Sequence, residues 1–210
     1  MKKIFTAGLI LFLTILSAQQ DELNLIGYLN YKSSKENNIP IEGSPYYVSD
    51  FNLAKIVGTE QLLLIRYNIL QDNLEFMNDE KIMIIPKEDY YKSLKFNHNG
   101  EQIDLINGTY YIKFFDSPLV SGYLKPKVKF QDFKKASSSY KEDRPAQFIT
   151  LPPDYYFKSK GQMIVLPKNH REFVKLFPEQ SERLSKFLKE NRIKLNNKND
   201  IIKVLKYLKD

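Results

Sequence analysis

The chain has 210 residues, with 32 Lys and Arg against 25 Asp and Glu, 42% hydrophobic and 13% aromatic residues, and neither Cys nor Trp. That length suits one domain, with or without an appendage, and so much apolar and aromatic content excludes a disordered chain. The lack of Cys excludes a disulfide scaffold, thiolate metal sites, thiol catalysis and an acylated-Cys anchor, and two His leave little room for a histidine-built metal site.

Residues 1–18 read as an export signal. Lys2 and Lys3 make a positive start, Ile4 to Leu16 is an apolar run, and Ser17-Ala18 offers small residues before the polar Gln19-Gln20-Asp21. A membrane span needs about 20 apolar residues, and this run is shorter. Cleavage is expected after Ala18, leaving an exported chain, periplasmic or secreted, with no transmembrane span.

The rest divides into a β-rich body over 19–166 and a basic helical region over 167–210. In the body, QLLLIRYNI and LEFM flank Leu70-Gln71-Asp72-Asn73, a hairpin pattern, and Lys81 to Ile85 (KIMII) predicts a short buried strand stopped by Pro86. KSLKFNH, EQIDLI and TYYIKFF are separated by Asn99-Gly100 and Asn107-Gly108, which predict two-residue turns with positive φ at both central positions and hence a three-stranded meander. LKPKVKFQDF carries Pro126 and suits an edge strand. Lys134 to Pro145 is polar and reads as an exposed loop, and DYYFKSKGQMIVLP closes the body as a hairpin around Lys160-Gly161.

After Pro167 the apolar period changes from 2 to 3.6. Asn169 with Glu172 resembles a capping box, Pro178 suits the first turn of a second helix with Leu184, Phe187 and Leu188 on its apolar side, and Asn196, Asn197 or Asn199 could cap a third. That third helix carries Ile201, Ile202, Val204, Leu205 and Leu208 on one side and Lys203, Lys206 and Lys209 on the other. The fold expected is mainly β (α+β): an antiparallel meander sheet or sandwich-like body with about three small helices packed on it.

No catalytic or cofactor motif stands out. His98 and His170 serve no nucleophile elbow, no metal-ligand spacing occurs, and no Gly-rich loop is present to cradle a phosphate. The acidic pairs Asp79-Glu80 and Glu88-Asp89 read as solvated turns. Tyr is abundant, with 14 residues, eight of them in adjacent pairs; on a strand each pair puts one ring on either face. Arg66 and Asn68 share a face of their strand, where Arg66 could pair with Glu75 across the hairpin, or bind a ligand. Net charge is −3 over 19–157 and +8 over 158–210, which points Lys203, Lys206 and Lys209 toward an acidic envelope component or an anionic membrane surface rather than nucleic acid.

The signal ending Ser-Ala-Gln, the segment Ile41-Glu42-Gly43-Ser44-Pro45-Tyr46, Leu64-Ile65-Arg66-Tyr67-Asn68-Ile69 and Leu166-Pro167-Lys168-Asn169 together resemble a group of small exported proteins of Bacteroidetes-type bacteria. The resemblance implies export but assigns no activity, cofactor or site residue. The sequence therefore leads to a non-catalytic binding or structural module of the cell envelope, with a hydrolase using two carboxylates as the rival; such pairs meet in space, and the sequence selects none.

Overall fold

The computed structural model describes residues 41–209 apart from Ser139 and Lys160, with Lys209 by its backbone alone. The expected export signal lies outside the described residues. Among them are ten strands: β1 Asn52–Ile56, β2 Leu62–Asn68, β3 Asn73–Asn78, β4 Lys81–Ile84, β5 Ser93–Phe96, β6 Gln102–Ile106, β7 Thr109–Asp116, β8 Val120–Gln131, β9 Gln147–Ser159 and β10 Gln162–Val165. Three α-helices follow, α1 His170–Lys175, α2 Ser181–Glu190 and α3 Lys198–Lys209. The strands form one sheet in the order β10-β9-β8-β7-β6-β5-β1-β2-β3-β4, so the expected meander with C-terminal helices is the fold observed.

Turn chemistry explains most of the hairpins, and it separates the two Asn-Gly pairs. Asn107 and Gly108 both take positive φ (50° and 77°) and close a tight β6–β7 turn, as the pair requires. At the other pair only Gly100 is left-handed. Asn99 instead accepts the Glu101 N–H on its own side chain (2.9 Å), which stabilises a longer turn over residues 97–100.

Two further expectations are corrected. Lys81–Ile84 of KIMII forms a strand at an edge of the sheet rather than a buried one; Ile82, Met83 and Ile84 are 53%, 48% and 57% exposed, and only Ile85, just past the strand, is buried. Four apolar residues in a row mark a strand but do not say which neighbours cover it. Pro126 lies inside β8, between β7 and β9, not in an edge strand. It is tolerated because the β7–β8 ladder ends at Ile112 and Leu124. Carried two residues further, that register sets Pro126 opposite Tyr110, whose carbonyl accepts from Lys125 Nζ (3.2 Å) in place of the N–H that proline lacks.

The chain divides into two compact units, with the boundaries inside β2, β8 and β9. The first takes described residues 41–51, 65–84 and 127–151. Here the segment from Glu42 to Tyr47 is zipped at both ends: Phe148 N–H donates to the Glu42 carbonyl (2.8 Å), and Tyr47 N–H to the Tyr67 carbonyl (2.9 Å). The polar loop after β8 is closed at its base by mutual backbone bonds between Lys134 and Arg144.

The second unit, residues 52–64, 85–126 and 152–210, holds the helices. Asn169 caps α1 by accepting the Glu172 N–H (2.8 Å), and Asn197 caps α3 by accepting from Asn199 and Asp200 (3.0 and 3.2 Å). His170 is consumed structurally, its Nε2 lying 2.7 Å from the Ile193 carbonyl. Leu184, Leu188, Ile201, Val204 and Leu205 pack with Val120 and Phe157 of the sheet into one buried cluster. The closest approach is at Gly122, where an added Cβ would lie 2.6 Å from Leu205 and 2.9 Å from the Phe114 ring. Gly122→Ala is therefore expected to destabilise by about 1–3 kcal/mol through overpacking. Urea unfolding measures this, and an unchanged midpoint would mean that α3 does not sit on β8.

Candidate functional site

Cross-strand register defines the sheet face opposite α3 in the second unit. Ser93 partners Asp104, Asp104 partners Tyr111, Gln102 partners Lys113, and Lys113 partners Tyr123. Ladder partners project to the same side, so one polar and aromatic row crosses four strands. The alternation expected of the Tyr pairs holds here: Tyr110 is fully buried while Tyr111 joins the row, and Tyr155 packs on the helical cluster while Tyr156 meets Tyr111 edge-on at 5.1 Å. Tyr90 and Tyr91 differ, because they lie in a single 3-10 turn and contact each other.

A β-bulge assembles the charged centre of this face. Between Lys113 and Phe115 the register slips by one residue, Phe114. In an unbroken strand, positions three apart face opposite sides; the extra residue puts Lys113 and Asp116 on the same one. Lys113 Nζ then lies 3.2 Å from Asp104 Oδ2 and 3.3 Å from Asp116 Oδ2. Asp104, buried, also accepts from Gln102 Nε2 (2.8 Å), Tyr123 OH (3.0 Å) and Ser93 Oγ (2.5 Å), so all its acceptor positions are filled. Asp104, Lys113, Ser121, Tyr123, Lys158 and the turn at Gly161 line an open depression of about 370 Å³. That is at the small end of ligand sites, which span about 300–1,000 Å³.

The electrostatics suit holding rather than proton transfer. Burial, reinforced by the Asp104 carboxylate, pushes the Tyr123 phenol far up. Burial likewise pushes Tyr156 up to about 12, with Tyr111 and Asp154 adding to the effect. Burial alone would raise Asp116, but the Ser121 hydroxyl and the Lys113 ammonium outweigh it and hold this carboxyl below its ordinary value. Among the described residues no three His, Asp or Glu converge to hold a metal ion, and no helix is long and apolar enough to cross a membrane.

The residues singled out from sequence lie elsewhere. Arg66 and Asn68 meet through Glu75 in the first unit: Arg66 Nε donates to Glu75 Oε2 (2.8 Å) and Asn68 Nδ2 to Glu75 Oε1 (3.1 Å). The guanidinium also donates to Tyr46 OH (2.8 Å) and lies over the Tyr46 and Phe51 rings. The cross-strand pair expected at Arg66 is thus present, and the cluster satisfies itself internally. Lys203 is exposed but held by Asp200 at 2.8 Å, Lys206 is exposed, and the Lys209 side chain is outside what the structure describes. The group around Lys113 was missed from sequence. Its one local sign is the doublet Phe114-Phe115, which breaks the alternation of TYYIKFF. Compared with known proteins, the chain matches no family model, no curated protein and no solved structure.

Two measurements follow from these clusters. Arg66→Met leaves Glu75, 7% exposed, without its guanidinium, and is expected to cost about 3–5 kcal/mol, with much of the loss recovered in Arg66→Met/Glu75→Leu; denaturant midpoints of both variants decide. For Tyr156 the folded state favours the neutral phenol, so its contribution is complete below pH 10 and is lost as pH rises toward 12. Absorbance titration should show a late-ionising phenol that Tyr156→Phe removes, along with part of the stability loss over that pH range.

Proposed function

We propose that the chain is an exported, non-catalytic binding module of the cell envelope, and that it engages its partner through the Tyr-lined face around Lys113. The observation that carries this reading is an open depression lined by the Asp104–Lys113 ion pair, with Asp116 paired to the same ammonium. The rival, a hydrolase, needs a carboxyl that keeps its proton near neutral pH to act as general acid. Asp116 is biased the other way, and Asp104 has no acceptor position left for a substrate. The half-buried rings of Tyr111 and Tyr156 supply flat apolar area with a polar tip, which suits recognition. The charged start and short apolar run of residues 1–18 support export, as does the resemblance to exported proteins of Bacteroidetes-type bacteria.

The test is sedimentation of the mature protein with insoluble envelope material from its native host, with soluble products assayed in parallel. Retention that falls at least tenfold in Tyr111→Ala/Tyr156→Ala, without product release, is the expected result. Product release abolished by Asp104→Asn or Asp116→Asn would favour the hydrolase instead. The intact mass of the protein from its host should lack residues 1–18.

A further inference from the structure

We infer that the depression over Tyr123 takes an acidic sugar unit, a hydroxylated ring carrying a carboxylate, from an envelope polysaccharide. The inference rests on the binding-module reading above and assigns the ligand chemistry. It follows from which groups at the site are already occupied. The Lys113 side chain is 14% exposed and lies between two carboxylates, and Asp104 accepts three hydrogen bonds beside its ion pair with Lys113, so both are already occupied within the protein.

Two groups remain. Lys158 stands two residues beyond Tyr156 on the same face of β9, lines the depression, is half-buried, and has no hydrogen-bond or ion-pair partner among the described residues. An ammonium that lines the depression with no ion-pair partner among the described residues is the group there able to meet an anion. Asp116 stands beside Ser117 at the rim with its side chain 61% exposed. Its Oδ1 accepts from Ser121 and its Oδ2 from Lys113, which leaves acceptor positions directed at solvent. Those positions on Asp116 suit the hydroxyl donors of a sugar ring. Beside the lining residue Tyr123, on the same face, the half-buried rings of Tyr111 and Tyr156 offer surface to the apolar side of an adjoining sugar unit.

The experiment is calorimetric titration of the mature protein and of Lys158→Met and Asp116→Asn, after circular dichroism confirms their folds. The probes are a tetragalacturonate, a neutral tetragalactoside and glucose 6-phosphate, each at low and physiological salt. Tetragalacturonate is expected to bind, at least tenfold more tightly than the neutral oligomer. Lys158→Met should lose at least tenfold and most of the salt dependence, and Asp116→Asn a smaller factor. Equal binding of acidic and neutral oligomers overturns the acidic assignment while leaving the binding face in place. Tighter binding of glucose 6-phosphate overturns the carboxylate in favour of a phosphate. If no probe binds although the protein still sediments with envelope material through Tyr111 and Tyr156, this inference fails and the proposed function survives. If both binding and retention are absent, both fail.

Discussion

The open face of the second unit depends on one residue more than a regular strand would use. With period two, Lys113 and Asp116 belong to opposite sides of β7, and a buried ammonium would have Asp104 alone as counter-charge. The bulge at Phe114 changes this at one stroke. It sends two consecutive Phe side chains to the helical cluster, and it returns the chain to the open face in time for Asp116 to meet Lys113. The packing of α3 on Gly122 lies on the next strand at the same level, where β8 has no Cβ to obstruct Leu205 and the Phe114 ring. Helix docking and charge assembly are thus two outcomes of the same local insertion, on opposite faces of one sheet.

Both buried carboxylates, Glu75 and Asp104, are treated alike although they belong to different units. Each is met by a cation from the neighbouring strand and by neutral donors: Asn68 for Glu75, and Tyr123, Gln102 and Ser93 for Asp104. Networks of this kind add little net stability over apolar packing but make a shifted register expensive, since every partner would be lost together. Their difference lies in what surrounds them. Arg66 is closed over by Tyr46 and Phe51, whereas the Lys113 group opens onto a depression with Lys158 beside it.

What could be read from the sequence was what neighbouring residues decide between themselves. Asn107-Gly108 sets its own turn, Asn169 caps its own helix, and the β2–β3 hairpin brings Glu75 opposite Arg66 once its turn is placed. Position in the sheet was not legible, because it is fixed by which distant strand arrives beside which. KIMII reads as buried in isolation, yet its first four residues lie at the rim, and Pro126 reads as a rim residue and lies in an interior strand, spared by the end of the β7 ladder and by Lys125. The Lys113 group needed three strands in register and a bulge, so no spacing in the chain announced it.

The β3–β4 hairpin carries a different kind of information. Its turn, Asp79-Glu80, places two non-glycine residues in the left-handed region (φ 46° and 64°), at a cost of about 1–3 kcal/mol each, and the strand beyond has a neighbour on one side only among the described residues. The hairpin displays Ile82, Met83 and Ile84 on its surface. Among the described residues no strand pairs with this rim, so the sheet could lengthen there by one strand without disturbing a bond they make. Only the four-residue length of β4, with Lys81 at its start and Pro86 soon after its end, limits how far another chain could extend it.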